Sequence, residues 1–84
     1  MTTDLSQGKP VIGFLGAGGI ARSHAYSLSS LGFYYSDAPV PVLEAVCSAG
    51  TQSRESFSKK YGFRKACAFD EFVSDNRIDT VFIL

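Results

Sequence analysis

Hydrophobic and polar positions along this chain switch repeatedly between two periods. Val11 to Leu15 is a continuous apolar run with β-branched members, the pattern of a strand buried on both faces of a parallel sheet. From Gly19 the period lengthens. Ile20, His24, Leu28 and Leu31 recur at helical spacing with Ala21 and Ala25 beside them, and Gly32 is placed to end the helix. Phe33 to Pro41 reads as a loop, because Pro39 and Pro41 can neither donate to a ladder nor continue a helix. The aromatic trio Phe33, Tyr34 and Tyr35 is expected to pack within the chain, since rings this large tend to be hidden on folding.

The alternation continues to the last residue. Val42 to Cys47 predicts a second strand, with Ser48-Ala49-Gly50 as its exit turn. Thr51 or a neighbour should cap a helix running to about Tyr61, with Phe57 and Tyr61 on one face and Gly62 as its stop. Ala66 to Phe69 predicts a short third strand, and Asp70 should cap one or two helical turns from Glu71 to Ser74. Asp75-Asn76-Arg77 then turns the chain into a fourth, almost wholly apolar strand, Ile78 to Leu84. Strands alternating with helices imply an α/β fold: a Rossmann-type parallel sheet of about four strands with flanking helices and right-handed crossovers. Residues 1–9 are expected to be a disordered tail and residues 10–84 the folded part. Thr80 to Leu84 carries no turn signal after it, so the expectation is the front portion of a longer protein, truncated within a strand. Such a piece should be weakly stable, with an uncovered final strand prone to association.

Composition narrows the possible functions. The 84 residues are 45% hydrophobic and 19% charged, values of a globular chain. Lys plus Arg and Asp plus Glu balance at eight each without a basic stripe, which argues against nucleic acid or an anionic membrane as the main partner. The polar start, Met1 to Lys9, lacks the basic and apolar regions of a secretory signal, and no apolar stretch approaches the ~20 residues of a membrane span. A cytoplasmic location is expected. Cys47 and Cys67 lack metal-ligand spacing and sit in apolar contexts, so free buried thiols are expected, and no metal site.

The candidate chemistry lies between the first strand and the first helix. Gly16-Ala17-Gly18-Gly19-Ile20-Ala21 matches the glycine loop G-x-G-x-x-G/A in its required context of strand, loop and helix. Gly16 suits the tight turn out of the strand. Gly18 lets main-chain amides approach phosphate oxygens, and Ala21 is small enough for close packing of helix on strand. The unpaired amides and partial positive charge of a helix start attract an anion, so Gly18, Gly19 and Ile20 are expected to seat a pyrophosphate.

Four stretches together resemble the N-terminal domain of the glucose–fructose oxidoreductase / inositol dehydrogenase (Gfo/Idh/MocA) family. They are Val11 to His24 with its glycine loop, Leu43-Glu44-Ala45-Val46-Cys47-Ser48, Glu55 to Phe63, and Asp79 to Leu84, in that order over nearly all of residues 10–84. The resemblance implies an NAD(P)-dependent oxidoreductase transferring hydride to or from a sugar, polyol or related alcohol or ketone. It also implies a larger two-domain protein, its second α/β domain carrying a small-molecule substrate, with homo-oligomers formed through that domain. The family's catalytic lysine and histidine would lie after Leu84, so no residue here is assigned a catalytic role.

The same resemblance places Ser48 at the adenosine ribose. NAD-specific dinucleotide folds carry an acid about 20 residues past the glycines. Asp37 lies in that range but precedes the second strand instead of closing it, and Glu44 is inside the strand. Ser48 offers a hydroxyl where a carboxylate would repel a 2′-phosphate by about 4 kcal/mol, for unit charges ~4 Å apart at an effective dielectric of ~20. Arg54 is the candidate cationic partner, reaching back from its helix. The family's NADP-selecting arginine follows the serine directly, and here that residue is Ala49. NADP or NAD is the expected cofactor, with NADP favoured.

Blander readings accompany several residues. His24 is expected to be a packed histidine hydrogen-bonded to backbone, and Tyr61 to be core before it is an adenine platform. Arg22 reads equally as a solvated arginine or a phosphate contact, and Lys59-Lys60 as a wetted helix face. Ser53, Ser56 and Ser58 lack the histidine or acid spacing of a nucleophile. Two other classes stay open: a non-catalytic nucleotide-sensing or scaffold protein, and an S-adenosylmethionine-dependent methyltransferase, which wants an acid where Ser48 stands.

Overall fold

The computed structural model describes residues 9–34, 37 and 40–84, so the expected tail over residues 1–8 lies outside the described residues. The elements follow the alternation. They are β1 (Val11–Leu15), α1 (Gly19–Tyr34), β2 (Val42–Cys47), α2 (Thr51–Tyr61), β3 (Lys65–Cys67), α3 (Phe69–Val73) and β4 (Thr80–Ile83). All strand pairs are parallel and the sheet order is β3-β2-β1-β4, a Rossmann-type α/β arrangement with β1 inside.

Strand alternation splits the core in two. Ile12 and Phe14 of β1 face Ala21 and Ala25 of α1, Phe57 of α2, Val46 and Phe63. Phe14 is fully buried, its ring 5.0 Å from Phe63 and 5.3 Å from Phe82. On the opposite face Ala45, Cys47, Cys67 and Phe72 of α3 form a smaller cluster with Leu15 and Ile78 against it. Gly13 belongs to this second face. A Cβ there would lie 2.8 Å from the Phe72 ring and 2.9 Å from Ile78 Cδ1, so the missing side chain is what lets α3 settle on β1.

Several local expectations need correction. The buried stripe of α1 is Ala21, Ala25 and Leu28, while Ile20 is 63% exposed and His24 is exposed. Ala21 and Ala25 turn towards the core and are covered, with Leu28 partly buried beside them, while Ile20 and His24 fall on the solvent side of the same helix. Nor does Gly32 end α1, which continues to Tyr34. Phe33 therefore sits in a helix, 83% exposed, and not in a packed loop. Tyr35 lies outside the described residues, as does the side chain of Tyr34. The cap of α2 is Gly50, the neighbour of Thr51, and it makes no side-chain cap hydrogen bond. Gly62 ends α2 as expected, in the left-handed region at φ 79° with its amide donating to Ser58 O. β3 begins one residue early and stops at Cys67, because Ala68 rather than Asp70 occupies the cap position of α3 and Phe69 starts the helix. The regular part of the last strand is Thr80–Ile83, shorter than the expected Ile78 to Leu84; Val81 and Ile83 are exposed while Thr80 and Phe82 are half-buried.

An ion network ties the lower parts of the second face. The β1–β2 register slips between Ile12 and Gly13, which pair with Leu43 and Ala45, and Glu44 is left without a partner in the ladder. Its side chain is 2% exposed and meets Arg77, with Arg64 at 3.6 Å. Nearby, Lys65 Nζ lies 2.8 Å from Asp75 Oδ2. This contact with Lys65 is the main reason the Asp75 carboxyl is held below its ordinary range, against the opposing pull of burial, and the Arg77 amide assists. The same contact raises Lys65.

Two outcomes are expected. Gly13→Ala should destabilise the intact protein by about 1–3 kcal/mol through overpacking, and Phe72→Leu should recover part of that loss in the double variant. Urea denaturation of single and double variants measures this coupling. For the Lys65–Asp75 pair, Asp75 is lowered, so its contribution is complete above the ordinary carboxylate range and lost as pH falls through the depressed value. Lys65 is raised, so its contribution is present below about pH 10.4 and lost as pH rises beyond it. Unfolding measured against pH should show both limbs flattened in Lys65→Met.

Candidate functional site

The glycine loop leaves β1 where the sheet order reverses, between β2 on one side and β4 on the other. In open parallel sheets, crevices for ligands form at the carboxyl ends of strands at such a point. Gly16 is fixed there from both sides. Its amide donates to Cys47 O at 2.8 Å, its φ is +127°, and a Cβ would meet Leu84 O at 2.7 Å. No side chain fits that position. Leu84 in turn donates to Leu15 O at 3.0 Å, so the ends of β1, β2 and β4 meet around one glycine.

The next residues are constrained differently. Around Gly18 and Gly19 a Cβ would meet nothing within 4 Å. The protein's own packing does not require glycine at either place. The first bond of α1 runs from the Arg22 amide to Gly18 O at 3.1 Å, so the amides of Gly18, Gly19 and Ile20 precede the helical ladder, and no described acceptor takes them. All three residues are exposed. Ala17 is half-buried against the main core, and Ala21, 1% exposed, is the close contact between α1 and the sheet.

Ser48 follows Cys47, whose carbonyl holds Gly16, so the ribose candidate stands beside the loop. Its hydroxyl lies 3.3 Å from Gly50 O and 3.2 Å from Ser53 Oγ, and Ser53 Oγ in turn donates to Gly50 O at 3.2 Å. Arg54 does reach back. Its Nη1 donates to Ser48 O at 2.9 Å and its Nη2 lies 3.4 Å from Thr51 Oγ1. The guanidinium therefore clamps the turn after β2 and sets a positive charge next to Ser48. The structure thus brings residues 16–21, Ser48 and Arg54 together at one end of the sheet. Asp37 is in the turn before β2, at the strand's opposite end, and Glu44 is committed to its arginines.

Ser53 was missed by the sequence reading, which considered it only as a nucleophile. Its signal was helical spacing from Gly50, which returns its hydroxyl to the turn. His24 is not a buried, backbone-bonded histidine; it is exposed, with its ring edge-on to Phe82 at 5.5 Å. Tyr61 packs on Phe57 at 4.7 Å, and Lys59 and Lys60 are exposed. Cys47 and Cys67 are free, buried and opposite one another on β2 and β3, and burial pushes the Cys67 thiol up. Covered as they are, both suit packing rather than reaction. No cluster of metal-ligating side chains occurs among the described residues, and no helix there is long and apolar enough to cross a membrane.

Comparison with solved structures places this geometry among dehydrogenases. A levoglucosan dehydrogenase in complex with NADH superposes with a TM-score of 0.81 over 90% of this chain, at 18% identity. An NAD binding oxidoreductase from Klebsiella pneumoniae gives 0.79 over 90% at 28% identity. A putative myo-inositol dehydrogenase from Sinorhizobium meliloti 1021 gives 0.72 over 90% at 28%. The chain spans 21% of the length of each. No family model matches the sequence, and no curated protein matches it either. The fold is that of NAD-binding oxidoreductases.

The two kinds of glycine should separate on substitution. Gly16→Ala is expected to cost at least about 1–3 kcal/mol in the intact protein, from the clash with Leu84 and the positive φ. Gly18→Ala should leave stability within about 1 kcal/mol. Chemical denaturation of both variants checks the contrast.

Proposed function

We propose that this chain is the dinucleotide-binding portion of a nicotinamide-dependent oxidoreductase of the Gfo/Idh/MocA type, acting on a sugar, polyol or related alcohol or ketone. One observation carries the reading. At Gly18 and Gly19 the side chain is missing where the protein has no packing reason to omit it, directly over free main-chain amides. That is a cradle for an outside group, and a diphosphate suits it: two negatively charged phosphates against a helix start. The NADH-bound dehydrogenases of the same fold support the choice of ligand.

In this reading Gly18, Gly19 and Ile20 hold the pyrophosphate, Gly16 and Ala21 shape the turn, and Ala17 borders it. Ser48 takes the adenosine ribose, with Arg54 keeping the β2 turn in place. NADP is favoured over NAD, because Ser48 stands where an acid would repel a 2′-phosphate and Arg54 adds a positive charge beside it. When bound, the nicotinamide supplies hydride chemistry. The described residues bind and orient the cofactor; catalysis and substrate recognition are assigned to the rest of the protein. The methyltransferase alternative loses ground at Ser48, which leaves no acid to close β2.

The test is titration of the intact protein with NADPH, NADH and S-adenosylmethionine. Saturable binding of a nicotinamide dinucleotide is expected, lost at least about 100-fold in Gly18→Val while the melting temperature holds. Binding of S-adenosylmethionine alone, or wild-type affinity in Gly18→Val, overturns the reading.

A further inference from the structure

Beyond the glycine loop, a cleft of about 410 Å³ opens between the start of α1 and the exposed side of α2. It is lined by Ala17, Arg22, Ser53, Ser56, Lys60 and Tyr61, with Phe57 at its base. Two features set it apart from a solvated groove. First, it is continuous with the proposed site: Ala17 is a loop residue, and Ser53 Oγ lies 3.2 Å from Ser48 Oγ. Second, its charge is of one sign. Arg22 and Lys60 line it, no carboxylate does, and neither cation has an ion-pair partner among the described residues. Lys60 instead stands over the Tyr61 ring, 5.7 Å from its centroid, and the Ser56 hydroxyl adds a neutral donor.

Arg54 does not complete this set. Its guanidinium already bonds Ser48 O and reaches Thr51. A doubly charged phosphate beside Ser48 finds its uncommitted cations across the cleft rather than on the turn. We infer that the α1–α2 cleft seats the 2′-phosphate of NADP, with Arg22 and Lys60 as the specificity-determining cations and Ser53 as the hydroxyl linking ribose to phosphate. The inference rests on the dinucleotide reading and adds residues to it: cofactor choice is made by side chains of two helices, not by Ser48 and Arg54 alone. Charge-assisted contacts of this kind discriminate strongly because NADH has nothing to place in the cleft.

The test measures affinities of the intact protein for NADPH, NADH and 2′,5′-ADP in wild type, Arg22→Ala, Lys60→Ala and the double variant. Both side chains are exposed, so the fold should survive, and circular dichroism verifies it. Wild type should prefer NADPH by at least about 10-fold. Each single variant should weaken NADPH and 2′,5′-ADP by about 5–10-fold and NADH by less than about 3-fold, and Lys60→Glu should reverse the preference. The preference should shrink as salt is raised. A wild type favouring NADH, or a double variant with an unchanged NADPH-to-NADH ratio, overturns this inference and leaves the dinucleotide reading intact. A wild type binding neither nicotinamide cofactor overturns both.

Discussion

The contact of Gly16 with two strand ends is the constraint on which the rest of the site depends. Its amide is held by the last carbonyl of β2, and the space its side chain would need is filled by the backbone following β4. The loop must therefore leave β1 at one angle, and α1 begins where that angle directs it. Because α1 starts there, its first amides face outward over the carboxyl ends of the strands. The proposed anion site follows from strand packing rather than from any side chain.

The two faces of the sheet are stabilised in unlike ways. Under α1 and α2 the core is aromatic, with the Phe14 ring against Phe57, Phe63 and Phe82, and Phe57 against Phe63. Under α3 it is thinner: small residues, two covered thiols and Phe72 against Gly13. That face is finished by charge, through Glu44 with Arg77 and Arg64 and through Asp75 with Lys65. A buried carboxylate stripped of its arginines would remain desolvated without compensation, so this network commits the β1–β2 register as much as it adds stability.

The candidate binding surface has a division of labour. Main-chain amides at the start of α1 suit a phosphate group that every dinucleotide carries. In the proposed reading, side chains on the β2 turn and along α2 meet the part in which dinucleotides differ. Arg54 is occupied in holding the turn, which leaves Arg22 and Lys60 facing open solvent across the cleft. The proposal thus assigns generic affinity to backbone geometry and discrimination to exposed cations.

Strand, loop, helix and their alternation were legible along the chain because they depend on local rules: an apolar run, a glycine loop, a change of period. The α/β class, the parallel sheet, the stop at Gly62 and the covered cysteines all follow from such rules. Other features depended on what lies across from a residue. Ile20 and His24 fit a helical stripe as well as Ala21 and Ala25, and only the side on which α1 docks selected the alanines. The cap of α3 passed from Asp70 to Ala68, and α1 ran through Gly32, since single-residue preferences worth about 1 kcal/mol do not fix a boundary. The slip that turns Glu44 towards Arg77, 33 residues away, and the cleft joining Arg22 to Lys60 have no local signature. Periodicity reports which side of its own element a residue occupies; the neighbour it meets is decided when separate elements are brought together.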